Sequence, residues 1–97
     1  VCNIIIISAD VVNGNDLIAN YVFYTSFASA NLENANFKNA DLKFANFYLA
    51  NLANADLSGA DLRNAFLGEA DLSNANLEGA ILDGTTLTCK NHPICLG

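Results

Sequence analysis

The chain has 97 residues, a net charge of −6 and four basic residues, Lys38, Lys43, Arg63 and Lys90. This balance argues against a protein that binds nucleic acid or an anionic membrane surface, because both need clustered Lys and Arg. The longest apolar run, Ile4–Ile7, is far shorter than the ~20 residues of a membrane-spanning helix, so we expect no membrane insertion.

The first 14 residues lack the regular spacing that begins after them. Ile4–Ile7 and Val11–Val12 have strong β propensity, and the NGN run Asn13–Asn15 predicts a turn. We expect residues 1–14 to form an N-terminal β cap or an incomplete first coil, because an uncovered β edge invites aggregation.

A period of five residues dominates positions 15–88, in a chain with 15 Ala, 15 Asn and 13 Leu. A large apolar residue recurs at every fifth position from Leu17 to Leu87, and Ala stands two positions before it from Ala30 to Ala80. Because residues two apart in an extended chain point to the same side, we expect both to point inward. The residue between them points outward, and it is Asn or Asp in nine of those eleven repeats.

The last position of each five-residue unit predicts a corner. It holds residues that tolerate positive φ: Asn34, Asn39, Asn54, Gly59, Asn64, Asn74, Gly79 and Gly84. Each unit therefore predicts a very short strand and a tight turn, so that four units close a square. Successive squares then stack by parallel β pairing at ~4.8 Å.

The tandem pattern A-[DN]-[LF]-x-x resembles the signature of the pentapeptide-repeat proteins. It is strict from Ala30 to Ala80 and looser from Asn15 to Leu87, which is most of the chain. The resemblance implies an all-β fold, a right-handed quadrilateral parallel β-helix with capped ends and about four coils. It brings no catalytic or binding residues with it, so it is specific for the fold and not for function.

With 20 residues per coil, the large apolar residues stack in four inner columns. They are Val12, Leu32, Leu52 and Leu72; Leu17, Phe37, Leu57 and Leu77; Val22, Leu42, Leu62 and Leu82; and Phe27, Phe47, Leu67 and Leu87. We expect Ala to fill the other inner slot because the bore is narrow. Ala55→Leu should therefore overpack the core by ~1–3 kcal/mol or more, and Leu57→Ala should destabilise it by ~2–5 kcal/mol.

Several outer positions carry apolar residues where Asn, Asp or Gly is the rule, and these mark a candidate protein interface. By register, one aromatic patch around a corner comprises Phe23, Tyr24, Phe44, Tyr48 and Leu49. Phe66 and Ile81 also replace the outward Asn or Asp. The structural alternative is aromatic stacking along a column, which adds about 0.5–1.5 kcal/mol per pair.

Residues 89–97 leave the repeat and are expected to form a C-terminal cap loop that contains Cys89, His92 and Cys95. Cys2 would lie nearly ~20 Å away at the other end of the stack. If one disulfide forms, it is therefore Cys89–Cys95. Free thiols are one alternative, and a metal site with C-x2-H-x2-C spacing is another, although no fourth ligand stands nearby.

We expect no enzyme activity and no cofactor. His92 is the one histidine, so there is no Ser-His-Asp set, and no nucleotide-binding glycine motif occurs. The preferred interpretation is a rigid non-catalytic scaffold that meets a protein partner through the aromatic patch or the coil ends, with self-association as a variant. The alternative is an acidic DNA mimic that binds DNA gyrase, because some pentapeptide-repeat proteins resemble B-DNA in width and charge.

The C-terminal cysteines also bear on localisation. A Cys89–Cys95 bridge implies an oxidising compartment. Some members of the family that the sequence resembles are small secreted or thylakoid-lumen proteins. We therefore favour the thylakoid lumen or the periplasm, with the cytoplasm as the alternative.

Overall fold

The computed structural model describes residues 25–96, which form a coil of very short β segments. Each β segment in this part of the chain is a single-residue bridge, and every bridge is parallel. Nine bridges, from Ser26–Asn46 to Phe66–Thr86, join residues that are 20 positions apart. The chain therefore returns above itself after four five-residue units. The predicted N-terminal cap at 1–14 and Cys2 lie outside the described residues.

Each five-residue unit ends in a tight turn. In the first described turn the Ala30 N–H donates to the Phe27 carbonyl at 3.0 Å, and the same bond recurs at each later corner up to Thr85 and Leu82. The residue before the next small residue has positive φ, as in Asn34 at 65° and Gly59 at 68°. The corner positions predicted from the Asn and Gly pattern are thus confirmed, and they set the four walls of the coil.

We number the four walls by the large residues at their centres. Face 1 is centred on Phe27, Phe47, Leu67 and Leu87; face 2 on Leu32, Leu52 and Leu72; face 3 on Phe37, Leu57 and Leu77; and face 4 on Leu42, Leu62 and Leu82. From Phe27 to Leu72 every one of these side chains is fully buried, and the Ala residues from Ala30 to Ala75 lie beside them in the core. The predicted inner columns are confirmed for the described residues.

Aromatic packing fills the N-terminal end of the described core. The Phe27 and Phe47 rings stack with centroids 4.6 Å apart, and Phe37 meets both edge-on, at 5.3 Å from Phe27 and 5.8 Å from Phe47. These are favourable aromatic geometries. Hydrogen bonds between coils complete the stack, for example Leu52 N–H to the Asp71 carbonyl at 2.8 Å.

The final coil is one residue shorter than the others. Asp71 bridges Lys90 rather than residue 91, so the spacing falls from 20 to 19. This shift places the buried Cys89 in the inner slot that Ala30, Ala50 and Ala70 occupy below it. The chain then turns at Asn91, which has φ of 68°, and folds back until the Leu96 N–H donates to the Leu87 carbonyl at 2.7 Å.

Candidate functional site

The outward Asn and Asp residues have a local structural task. Their side-chain oxygen accepts the backbone N–H two residues on, as when Asn46 Oδ1 accepts from Tyr48 at 2.9 Å. Such Asx turns stabilise a tight bend. The same bond is made by Asn31, Asn36, Asp41, Asn51, Asp56, Asp61, Asp71 and Asn76. An outward residue without this oxygen therefore departs from the rule that shapes the walls.

Four exposed apolar side chains gather on face 1, and we call them the face 1 patch. They are Phe44, Tyr48, Leu49 and Phe66, each between 40% and 48% exposed. Phe44 stands at the corner where face 1 begins and Leu49 at the corner where it ends, so the patch spans the full width of the wall. Ile81, the remaining exposed apolar residue of an outward slot, lies on face 4.

Phe66 replaces an outward Asn or Asp, and its ring lies over the wall. It stacks on Tyr48 of the coil below, with ring centroids 5.9 Å apart. It also covers Gly68, which is buried, and a Cβ added there would come within 2.6 Å of the Phe66 Cζ atom. Glycine at 68 is therefore what lets the ring lie flat. Within the described residues, the Gly68 N–H has no side-chain acceptor of the kind that the Asx turns provide.

Two patch residues sit in a backbone conformation that disfavours them. Phe44 has φ of 63° and Leu49 has φ of 60°. The left-handed region costs an L-residue roughly 1–2 kcal/mol unless it is Gly, Asn or Asp. The neighbouring corners at Asn39 and Asn54 carry Asn at φ of 59° and 61°. Large apolar residues at two corners of one face thus run against the local preference of the chain.

Face 1 is the wall without charge among residues 25–96. Its outward positions are Ser26, Ala28, Asn46, Tyr48, Phe66, Gly68, Thr86 and Thr88. One acidic residue, Glu69, stands at the corner with face 2, where it pairs with Lys90 at 3.3 Å. An uncharged aromatic centre with charges at its border is typical of protein–protein interfaces.

Face 4 is ionic by contrast. Lys43 Nζ lies 3.3 Å from Asp41 Oδ2 and 3.8 Å from Asp61 Oδ2, and Arg63 Nη2 lies 2.6 Å from Asp61 Oδ2. The hydrogen bonds from Arg63 hold the pKa of the Asp61 carboxyl below its usual value, and Asp61 in turn raises the pKa of Arg63. These acids are largely neutralised by their neighbours.

On the other two walls, serine hydroxyls stabilise aspartate carboxylates by hydrogen bonds. The Ser58 hydroxyl donates to Asp56 on face 3 and lowers the pKa of that carboxyl. On face 2 the Ser73 hydroxyl, and then Asn91, donate to Asp71 and lower its pKa. Each wall except face 1 therefore carries an aspartate that the fold holds in its charged form.

The C-terminal loop brings together the predicted cysteine pair. Cys89 and Cys95 form a disulfide with Cα atoms 5.1 Å apart. His92 is occupied at both ring nitrogens, since Nε2 lies 3.1 Å from the Ala75 carbonyl and Nδ1 accepts the Ile94 N–H at 3.2 Å. The two sulfur atoms are bonded to each other and both ring nitrogens are hydrogen-bonded. In this arrangement the three side chains are therefore not available as ligands for the alternative metal site.

The described part of the chain offers no cavity, metal cluster or membrane-spanning helix. Residues 25–96 enclose no pocket. No group of three or more His, Cys, Asp or Glu side chains within that range is arranged to hold a metal ion. No helix with the length and hydropathy needed to cross a membrane occurs there.

Comparison with known proteins identifies the repeat. The family model for pentapeptide repeats matches residues 24–52 and 50–88, in eight copies. The chain belongs to the pentapeptide-repeat family. No curated protein gave a match.

Solved structures of pentapeptide-repeat proteins resemble this chain. The cyanobacterial protein Rfr23 from Cyanothece 51142 is 37% identical over 73% of this chain and 50% of its own, with a TM-score of 0.67. A thylakoid-lumen member from Arabidopsis thaliana is 36% identical over 77% of this chain and 60% of its own, with a TM-score of 0.49. HetL, a regulator of heterocyst differentiation in Nostoc sp. strain PCC 7120, is 28% identical over 76% of this chain and 41% of its own, with a TM-score of 0.26. The chain spans half the length of Rfr23.

Not every residue predicted for the interface falls within the described part of this pentapeptide-repeat protein. Phe23 and Tyr24 lie outside it, whereas Phe44, Tyr48 and Leu49 are exposed together on face 1. The patch predicted from the sequence surrounded one corner and did not include Phe66. The structure spreads these residues from corner to corner of one wall and adds Phe66 above Tyr48. The 20-residue register could have placed Phe66 on this wall, because it puts position 66 directly above position 46.

Proposed function

We propose that this chain is a non-catalytic protein-interaction module and that a protein partner binds to the face 1 patch. The observation that carries the proposal is the coincidence of two features on one wall. Face 1 lacks charge among the described residues, and it carries four of the exposed large apolar side chains. Contiguous apolar patches on a small domain are often binding sites.

The local cost of the patch supports this function. Phe66 forgoes the Asx bond that its counterparts make, and Leu49 occupies a corner that favours Asn or Gly. Residues that break a local rule without an evident structural gain are typical of functional sites. Stacking between Tyr48 and Phe66 contributes some stability, but a pair of exposed rings offers at most about 0.5–1.5 kcal/mol.

The apolar area of the patch and the charges around it indicate what kind of partner binds there. Four side chains of ~150–250 Å², each less than half exposed, present roughly 300–400 Å² of apolar surface. Face-to-face pairing of two copies would bury less than the ~1,200 Å² of a stable complex. We therefore commit to a different protein, with an apolar centre that covers face 1 and a basic rim that reaches acids on the adjoining walls, such as Asp83.

The alternative of an acidic DNA mimic has less support. Lys43 and Arg63 neutralise Asp41 and Asp61 on face 4, and the outward slots of face 1 within residues 25–96 hold no acids. A wall that imitates DNA needs a continuous row of negative charge, which repeats every ~1.7 Å along the duplex. Inhibition of supercoiling by purified gyrase would be the direct test of that alternative.

We propose an architecture for the whole chain as well: a right-handed quadrilateral β-helix of about four coils. It has an N-terminal cap at 1–14, repeats at 15–88 and a C-terminal cap at 89–97. The Cys89–Cys95 disulfide supports an oxidising compartment, the thylakoid lumen or periplasm, rather than the cytoplasm.

The test begins with site-directed photo-crosslinking. A benzoyl-phenylalanine replaces Asn46, at the centre of face 1, or Ser58, on face 3, and each protein is irradiated in a lysate of the source organism. The protein captured from position 46 and not from position 58 is then purified, and its affinity for the intact chain is measured by calorimetry.

Two variants decide the outcome. Phe66→Asn should weaken the complex by about tenfold or more, as truncation of a central aromatic anchor does. Ile81→Asn removes a side chain of similar exposure from the same slot of face 4, and it should leave the affinity unchanged. Equal effects of both variants, or capture from both positions, would refute binding at face 1. Concentration-dependent dimerisation would assign the patch to a second copy instead.

A further inference from the structure

The last coil leaves part of its β edge without a partner. One coil below, the N–H groups of Leu57, Gly59, Leu62 and Asn64 donate to carbonyls of the next coil at 2.7–3.0 Å. The corresponding N–H groups of Leu77, Gly79, Leu82 and Gly84 have no acceptor among residues 25–96, and the Ala80 carbonyl has no donor there. These groups lie on faces 3 and 4; on face 1 the Leu87 N–H also has no acceptor among residues 25–96, but the Leu87 carbonyl accepts from the Leu96 N–H.

The core is uncovered at the same place. Leu57, Ala60 and Leu62 are fully buried, whereas their counterparts one coil higher, Leu77, Ala80 and Leu82, are each part-exposed. The end of the stack on faces 3 and 4 is therefore an apolar floor that is bordered by unpaired backbone donors. Exposure of the core and unpaired backbone groups thus occur together on faces 3 and 4.

The C-terminal loop makes its hydrogen bonds to the other two faces of the last coil. Lys90 pairs with Asp71 on face 2, and His92 Nε2 reaches the Ala75 carbonyl at the corner of faces 2 and 3. The chain then turns back, and the Leu96 N–H bonds to Leu87 on face 1. The disulfide between Cys89 and Cys95 closes this excursion on itself. Among residues 25–96, the hydrogen bonds of the loop thus reach faces 1 and 2 and the corner with face 3, and none reaches Leu77 to Gly84.

We propose that the open edge on faces 3 and 4 binds an extended segment of another polypeptide, which adds a parallel rung to the coil. Backbone pairing at an exposed edge gives affinity, and pockets for alternate side chains give specificity. The spacing of the floor requires a small residue and a Leu or Phe two positions later, so that both point inward. The first small residue and its Leu or Phe would cover Leu77. After a corner, a second small residue with its own Leu or Phe would cover Leu82.

Charge selects between occupants. Glu78 and Asp83 flank the open edge in the slots that follow Leu77 and Leu82, and neither forms an ion pair within the described range. A segment with Lys at the matching positions is attracted. A second copy that stacked the same edge against it would oppose Glu78 and Asp83 with identical carboxylates. The occupant is therefore a basic extended segment and not a second copy of this end.

The probe is a synthetic peptide of sequence Ala-Asn-Leu-Lys-Asn-Ala-Thr-Leu-Lys-Asn, titrated into the intact oxidised protein. Amide hydrogen exchange is followed by NMR at three corner glycines. We expect the amides of Gly79 and Gly84 to exchange at least about tenfold more slowly at saturating peptide, because pairing protects an amide. The amide of Gly59 already donates to the Glu78 carbonyl at 2.9 Å and serves as the internal reference.

A charge variant and a control complete the test. Glu78→Lys with Asp83→Lys should weaken peptide binding by about tenfold, and Glu33→Lys, an exposed acid on face 2, should not. The proposal is overturned if the peptide fails to protect Gly79 and Gly84 up to about 1 mM, or if a scrambled peptide protects them equally. It is also overturned if both amides become protected with rising protein concentration alone, because a second copy would then be the occupant.

Discussion

Faces 1 and 4 stand on the same core and differ in the charge of their outward residues. Behind both walls a small residue and a large apolar residue alternate, and they are buried from Thr25 to Leu67. Face 4 carries Asp41 and Asp61 with their Lys and Arg partners, whereas face 1 carries uncharged and aromatic residues. The comparison teaches that the inner slots fix the coil and leave the outer slots free to differ. Binding surfaces in such a solenoid are therefore to be sought where an outer slot breaks its own rule.

The largest expected effect comes from breaking the core that both walls share. Phe47→Ala removes a buried ring that packs on Phe27 and Phe37, and it should lower the free energy of unfolding by about 3–5 kcal/mol. Leu62→Ala, behind face 4, should lower it by about 2–5 kcal/mol. Urea denaturation measures both. A loss of under ~1 kcal/mol from Phe47→Ala would contradict the shared core.

The next effect is a dependence of stability on pH that comes from the walls with aspartates and not from face 1. Asp56, Asp61 and Asp71 have lowered pKa values in the folded chain, so each contributes stability above its unfolded value near 3.8. That contribution is lost as the pH falls through the lowered folded value, which places the loss below about pH 4. We expect the free energy of unfolding of Asp61→Asn to decrease less steeply with falling pH than that of the original chain.

Asn46→Ala is the matched control, because Asn46 makes the same Asx bond on face 1 and does not titrate. It should shift the whole curve without changing its slope. An unaltered acid slope in Asp61→Asn would show that the Arg63 and Lys43 pairs contribute nothing to the folded state.

A smaller effect tests the corners. Leu49→Asn replaces a large apolar residue at φ of 60° with one that tolerates it, and it should raise the free energy of unfolding by about 0.5–1 kcal/mol. The reciprocal Asn54→Leu, one corner further on, should lower it by a similar amount. The same melting experiment compares them, and a destabilised Leu49→Asn variant would mean that Leu49 contributes to the fold.

The smallest expected change in stability is also the most selective for the patch. Gly68→Ala forces the Phe66 ring to move, because the added Cβ meets it at 2.6 Å, while the backbone at 68 is not in the positive-φ region. We expect stability within about 0.5 kcal/mol of the original and weaker binding to the partner identified by crosslinking. Unchanged affinity would show that the flat ring is not what the partner recognises.

Much of the fold followed from the sequence, because each inner slot obeys a single rule. The buried columns and the corners at Asn34 and Gly59 are set by residue type alone. The shortened last coil was not predictable, since the Ala-and-Leu pattern stops at Leu82 and nothing local fixes the register of Cys89. The His92 bonds to Ala75 and Ile94 depend on how the loop folds back, which spacing does not encode.

The patch was predictable in part. Phe44, Tyr48 and Leu49 break the rules of their slots and could be picked out in the sequence. The orientation of Phe66 over Gly68 could not, because it depends on a side-chain contact between positions in the same wall and on the stack with Tyr48 in the coil below. Departures from a repeat are visible in a sequence, whereas the surface that they form together needs the register.

The measurement that tests the central claim most directly is the free energy of unfolding of the double variant Tyr48→Ser with Phe66→Asn. If the face 1 patch serves binding, the variant should stay within about 1 kcal/mol of the original, because a restored Asx bond at Gly68 offsets part of the lost stacking. A loss of about 3 kcal/mol or more, the size expected for a core aromatic, would contradict the account and make the patch part of the fold.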